Sequence, residues 1–212
     1  MAQYSPASIN IPPAVKALLA ANIGIFLLQT SFEDPLIQLF ALWPVDLHGK
    51  LDQYGVSSLF HVWQLITYAF LHGGFFHILL NMYALWMFGS RMERVWGSRA
   101  FLIYYFVCVV GAGLTQLLFT SYSGDVFPTI GASGGVFGIL LAFGMTFPNE
   151  KLMLAFPPVI LKAKWFVLLF GAIELFSGVT GTAAGVAHFA HLGGMLFGFF
   201  LLMYWRQHPP SH

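Results

Sequence analysis

Continuous apolar runs, several of nearly membrane-spanning length and separated by short polar breaks, recur along this 212-residue chain and leave it few ways to fold. A helix needs ~20 apolar residues to cross ~30 Å of hydrocarbon, whereas a membrane barrel is written in ~10-residue segments that alternate polar and apolar. The runs here do not alternate, so the predicted class is all-α, a polytopic bundle of membrane helices. Composition agrees, since 58% of residues are hydrophobic and only 8% charged, too few charges to cover a water-soluble globule. Cys108 is the only cysteine and allows no intrachain disulfide. The net charge of +1 argues neither for nor against nucleic acid.

Six spans are expected, at 17–30, 75–88, 100–119, 132–147, 165–176 and 186–205. An even number puts both termini on one side. That side then carries Lys16, Arg91, Arg94, Arg99, Lys151, Lys162, Lys164 and Arg206, against Lys50 alone on the other. Basic residues are retained in the cytoplasm, so both termini are expected there. A seventh span over 56–71 would move Arg91, Arg94 and Arg99 to the side of Lys50, and is rejected. Segment 31–74 is instead read as interfacial, with helices over 35–43 and 56–72 and with Trp43 and Trp63 at headgroup level. Trp96, Trp165 and Trp205 are read as anchors on the inner side. Residues 1–14 are a short tail in which Pro12-Pro13 acts as a stop before any helix. Residues 15–205 form one membrane unit and 206–212 a second short tail. The first apolar segment has no basic leader and no small-residue cleavage site, and reads as a retained span.

Polar side chains inside spans are costly and usually face an internal cavity. Here His77 and Asn81 are spaced i, i+4 in the second span and His188 and His191 i, i+3 in the sixth, each pair on one face. Ser133 opens the fourth span within Gly131-Ala132-Ser133-Gly134-Gly135-Val136-Phe137-Gly138. That span is short, ~22 Å of helix, so its start lies below the outer surface and the irregular segment 121–130 dips into the protein from outside. Gly134 and Gly138, with Gly194-x-x-x-Gly198 in the sixth span, allow close helix approach. Ser133 is thereby expected within hydrogen-bonding reach of a histidine one turn above Gly194. His188 reads as a hydrogen-bonding neighbour, His72 as a satisfied turn or cavity residue, Glu174 as a structural hydrogen-bonding group near the outer end of the fifth span, and Cys108 as core packing.

Gly131-x-Ser133-Gly134, His77-x-x-x-Asn81 and Ala190-His191-x-x-Gly194-x-x-x-Gly198, on the right spans in the right order, together resemble the rhomboid intramembrane serine proteases. Gly89-x-x-x-Glu93-x-x-x-Gly97 resembles a structural signature of the same family, and the likeness runs from about 15 to 205. The resemblance implies a six-helix rhomboid-like bundle with a membrane-embedded first loop. It implies a serine endopeptidase that cuts in or near transmembrane segments of other membrane proteins, by a Ser133–His191 dyad without an acidic third member. His77, Asn81 and the Ser133 N–H would form the oxyanion hole, Phe137 would pack on the catalytic histidine, and Gly131, Gly134, Gly194 and Gly198 would support the geometry. The fifth span resembles the family's mobile helix beside substrate entry. Trp63-Gln64 stands where some bacterial members carry Trp-Arg, which bears on loop anchoring and not on the chemistry. No cofactor, metal or nucleic acid is called for. The partners are transmembrane substrates and the lipid bilayer, in a bacterial inner membrane with the site open to the outer side. The physical account is independent of the likeness: a serine hydroxyl needs a base, a neutral imidazole suits that task, and preorganised N–H donors stabilise the tetrahedral intermediate. Two alternatives stay open, an inactive rhomboid-like binding or quality-control factor, and zinc or haem ligation by His72, His77, His188 and His191.

Overall fold

The computed structural model describes residues 10–45, 60–123, 127–154, 158–181 and 187–210. Along them run helices α1 (Pro13–Gln29), α2 (Glu33–Phe40), α3 (Gln64–Thr67), α4 (Phe75–Ala84), α5 (Ser90–Trp96), α6 (Ser98–Ser123), α7 (Ser133–Thr146), α8 (Ala163–Thr180) and α9 (His188–Gln207). A helix stands at each of the six apolar segments. By length and apolarity α6, α8 and α9 can each cross a membrane, and the bent pair Gln64–Phe70 and Phe75–Trp96 supplies up to one more. The shorter α1 and α7 have 17 and 14 residues. The result is the all-α membrane bundle that the sequence predicts. At its centre α7 and α9 pack against the half-buried α6, whose Phe101, Tyr104, Tyr105, Cys108 and Val109 are fully enclosed.

Pro12-Pro13 marks the boundary where the first helix begins, with α1 opening at Pro13 rather than at the expected 17. Proline's fixed φ suits the first helical position and its missing N–H would be unpaired there anyway. The next two N–H groups, of Ala14 and Val15, donate to Oε1 and Oε2 of Glu93 at 2.8 Å each, and the Ser98 hydroxyl donates to Oε1 at 2.7 Å. Glu93 is thus a buried cap supplied from another helix, placed where the positive end of α1 favours an anion. Gly97 closes α5 with φ of 77° and donates its N–H to the Glu93 carbonyl at 2.8 Å. The Gly89/Glu93/Gly97 signature is therefore a clamp between α1, α5 and α6. Glu93→Ala would orphan two buried N–H groups, at a cost of about 3 kcal/mol. Thermal unfolding in detergent is expected to fall by roughly 10 °C; a melting temperature within 2 °C or so of wild type would refute the clamp.

Between α1 and α4 the chain lies across the bundle, the axes of Gln64–Phe70 and Phe75–Trp96 meeting at 101°. Of the two interfacial helices expected, the first is α2 and the second reduces to Gln64–Phe70 among the described residues, while 46–59 lie outside them. Gln64, fully buried, takes the anchoring role. Its Oε1 accepts N–H groups of Trp43 and His61, both at 3.3 Å, and its amide donates to the Leu39 carbonyl at 3.4 Å. Trp43 is not an exposed headgroup anchor: it is 8% exposed and packs with Ala41 and Leu71. Trp63 does stand at the surface, its indole N–H donating to the Leu39 carbonyl at 3.0 Å.

Two further departures are local. α6 runs on to Ser123, past the expected end of its span at 119, because nothing before Gly124 breaks its helical pattern. A short antiparallel hairpin, β1 (Lys151–Leu154) and β2 (Val159–Lys162), joins α7 to α8 and pairs Lys151 with Lys162.

Candidate active site

Ser133 occupies the first position of α7, where the opening N–H groups of a helix have no intrahelical partner. Its approach is bolted down from two directions. Leu42 and Thr129 exchange backbone hydrogen bonds at 2.9 and 3.0 Å, and the Gly131 N–H donates to the Tyr68 carbonyl at 2.9 Å. Gly131 has φ of 126°, and a Cβ there would lie 2.8 Å from Cε1 and Nε2 of His77 and 3.6 Å from Ser133 Oγ. Only glycine therefore lets the imidazole of His77 and the hydroxyl of Ser133 border the same point.

α9 brings the second partner. His191 Nε2 lies 2.7 Å from Ser133 Oγ, the distance of a direct hydrogen bond. Phe137, one turn along α7, stacks on the His191 ring with centroids 4.4 Å apart and planes at 7°. The crossing of α7 and α9 is made by glycines: a Cβ on Gly194 would run into the carbonyl oxygen of Gly134. Gly134 and Gly135 also abut Ala112 and Tyr105 of α6, and Gly138 abuts Cys108. Gly198 packs against Tyr104 and Cys108, so the glycines admit α6 as much as α9.

His77 accepts a hydrogen bond at Nδ1 from the Gly73 N–H at 3.3 Å, an arrangement that leaves its proton on Nε2, the nitrogen beside Gly131. Asn81 is buried, and one N–H of its amide donates to the His77 carbonyl at 3.0 Å. His72, expected as a turn or cavity residue, is 1% exposed and sits edge-on to His77 at 5.1 Å between centroids. Its backbone is held by Gln29, which bonds the N–H at 3.0 Å and the carbonyl at 2.8 Å.

Glu174, on α8, extends the site. Its Oε2 is 2.9 Å from His191 Nδ1 and 2.6 Å from His188 Nδ1, and all three residues are buried. Glu174 is the hydrogen-bonding group expected of it, and its carboxylate stands on the far side of the imidazole from Ser133. The sequence signal was that Glu174 is the only acid within an expected span. What the sequence lacked was the rotation of α8, which decides where that acid points. The same three residues are the only group of three or more His, Cys, Asp or Glu side chains among the described residues able to converge on one ion. The four-histidine set His72, His77, His188 and His191 is not such a group. Hydrogen bonds of 2.6 and 2.9 Å already account for the cluster without a metal.

Comparison with known proteins follows the same lines. A model of the Rhomboid domain matches residues 59–208. RHOMBOID-like protein 1 of Arabidopsis thaliana is 32% identical over 192 residues, 91% of this chain and 46% of that protein. Rhomboid protein 1, mitochondrial, of Saccharomyces cerevisiae is 34% identical over 194 residues, covering 87% of this chain and 51% of its own length. Rhomboid protease GlpG of Klebsiella pneumoniae is 28% identical over 187 residues, 84% of this chain and 62% of that protein. The chain spans about half the length of the first of these relatives.

Proposed function

This chain belongs to the rhomboid family, and on that premise we propose that it is an intramembrane serine endopeptidase hydrolysing peptide bonds in or near transmembrane segments of other membrane proteins. The observation that carries the reading is the 2.7 Å contact between His191 Nε2 and the Oγ of Ser133, a half-buried residue at the first position of α7. Residues 15–205 act as one catalytic unit. α1, the α4–α5 segment, α6, α7, α8 and α9 make six crossings, with both termini cytoplasmic and the site open to the outer side of a bacterial inner membrane. α7, ~21 Å long, cannot span ~30 Å of hydrocarbon, so its Ser133 end is recessed from the outer surface and open to water from that side.

The chemistry uses only this chain's side chains and water. His191 Nε2 takes the Ser133 proton as Oγ attacks the scissile carbonyl, forming a tetrahedral intermediate. The N–H of Ser133, the Nε2–H of His77 and the free amide N–H of Asn81 donate to the developing oxyanion. His191 then protonates the leaving amine, and water, deprotonated by the same nitrogen, hydrolyses the acyl-enzyme. Substrate helices with weak helical propensity near the scissile bond are cut best, because they unwind into the site at least cost.

The test is incubation of the detergent-purified protein with a single-span membrane protein. Two fragments with new ends in or beside the span are expected, and an intact substrate with folded enzyme would sink the proposal. His77→Ala and Asn81→Ala should each lower kcat about 100-fold with little change in KM. Equal kcat in both variants and wild type would remove these residues from the oxyanion hole.

A further inference from the structure

We propose that Glu174 is a positioning residue that fixes the tautomer and orientation of His191, making the site a Ser133–His191–Glu174 triad completed by α8. The proposal rests on the reading of Ser133 and His191 as nucleophile and base. An imidazole can accept the Ser133 proton at Nε2 only if its own proton sits on Nδ1. Nδ1 points at Glu174 Oε2 at 2.9 Å, and a carboxylate oxygen can only accept there. The acceptor thus selects the productive tautomer. Phe137 lies flat against one face of the ring, centroids 4.4 Å apart, so stacking and hydrogen bond together remove its rotational freedom. The carboxylate is itself held, because His188 Nδ1 bonds the same oxygen at 2.6 Å from one turn up α9. When His191 takes the serine proton, the resulting imidazolium lies against this carboxylate, which stabilises it without taking the proton.

Burial makes the arrangement hard to explain as surface chemistry. Glu174 is 9% exposed and both histidines are 8% exposed, although α8 otherwise presents most of its surface outward. An acid carried into a span by an otherwise weakly embedded helix is expensive unless its partners need it. His188 supplies one hydrogen bond, but only the bond to His191 connects the carboxylate to the reacting oxygen.

Glu174→Gln and Glu174→Asp, measured beside wild type for kcat, KM and thermal unfolding, separate positioning from packing. Glutamine, whose amide can present either N–H or C=O to Nδ1, is expected to lower kcat about 10²- to 10⁴-fold with KM within about twofold. Aspartate, keeping the carboxylate, should recover at least about tenfold of that loss. A kcat for Glu174→Gln within about threefold of wild type would overturn the proposal, as would an aspartate variant no better than glutamine. A second measurement does not depend on activity, and its wild-type arm does not depend on any variant folding. ¹⁵N spectra of histidine-labelled wild type should show a protonated Nδ1 and an unprotonated Nε2 in His191, with that pattern lost in Glu174→Gln. A proton on Nε2 in wild type would overturn the role of Glu174 even in an active enzyme. Wild type that cuts nothing would instead refute the protease reading and leave the tautomer measurement standing.

Discussion

Ser133→Ala is expected to lower the rate of substrate cleavage by about 10⁴-fold or more, and His191→Ala by a comparable factor. In the proposed mechanism the two residues act as one unit: without Oγ there is nothing to attack the carbonyl, and without Nε2 at 2.7 Å the hydroxyl keeps its proton. The losses should therefore not add, and the double variant should be no slower than either single one within a few fold. Neither change creates a clash, since both only shorten a side chain, so melting temperatures should stay within about 5 °C of wild type. Fragment appearance in proteoliposomes measures the rates, and labelling of Ser133 by a fluorophosphonate gives a readout free of substrate docking. Labelling should vanish in Ser133→Ala and slow sharply in His191→Ala. Equal cleavage by wild type and both variants would sink the mechanism. A Ser133→Ala protein that cleaves nothing yet retains full cellular function would favour a binding role over a proteolytic one.

The sequence made the bundle legible because burial in lipid writes itself as long uninterrupted apolar runs, and each of the six runs became a helix. It also made the Ser133–His191 neighbourhood legible, because close-packing glycines flank both residues and a glycine-lined crossing leaves few ways to arrange two helices. What it hid were features set by rotation and by long-range partners. Glu174 lies 17 positions before His191 on another helix, and no local spacing tells whether its side chain turns inward. The first helix is expected from 17 rather than from Pro13 because the group that caps its start, Glu93, lies 79 positions away from Ala14. Trp43 was placed at the headgroups on residue type alone, yet the Gln64 side chain folds its backbone inward against Leu71. The hairpin of β1 and β2 is four residues a side with no polar alternation, too short for a periodicity to announce it.

Gly194→Ala is expected to lower activity by about 10²-fold while removing no reacting group. A methyl at this position meets the backbone of Gly134, and a backbone carbonyl, unlike the tip of a side chain, cannot swing aside. Restoring an ordinary C···O separation of ~3.3 Å would force α7 and α9 apart by about 1 Å. That parting falls where the reaction is proposed, because Gly134 adjoins Ser133 and Gly194 lies one turn from His191 on the same helix face. A hydrogen bond of 2.7 Å stretched by such an amount is no longer one, and misplacement of this size costs about 10²-fold in rate. The overpacking itself should cost about 1–3 kcal/mol, read as several degrees of melting temperature. Gly24→Ala is the matching control: a Cβ there meets nothing within 4 Å on the exposed side of α1, and alanine favours the helix by up to about 1 kcal/mol. It should leave cleavage unchanged and stability equal or higher. If Gly194→Ala instead matched Gly24→Ala in both measurements, the α7–α9 contact would not be what holds Ser133 to His191. Registry would then have to come from α6, through Gly134 on Ala112 and Gly138 on Cys108.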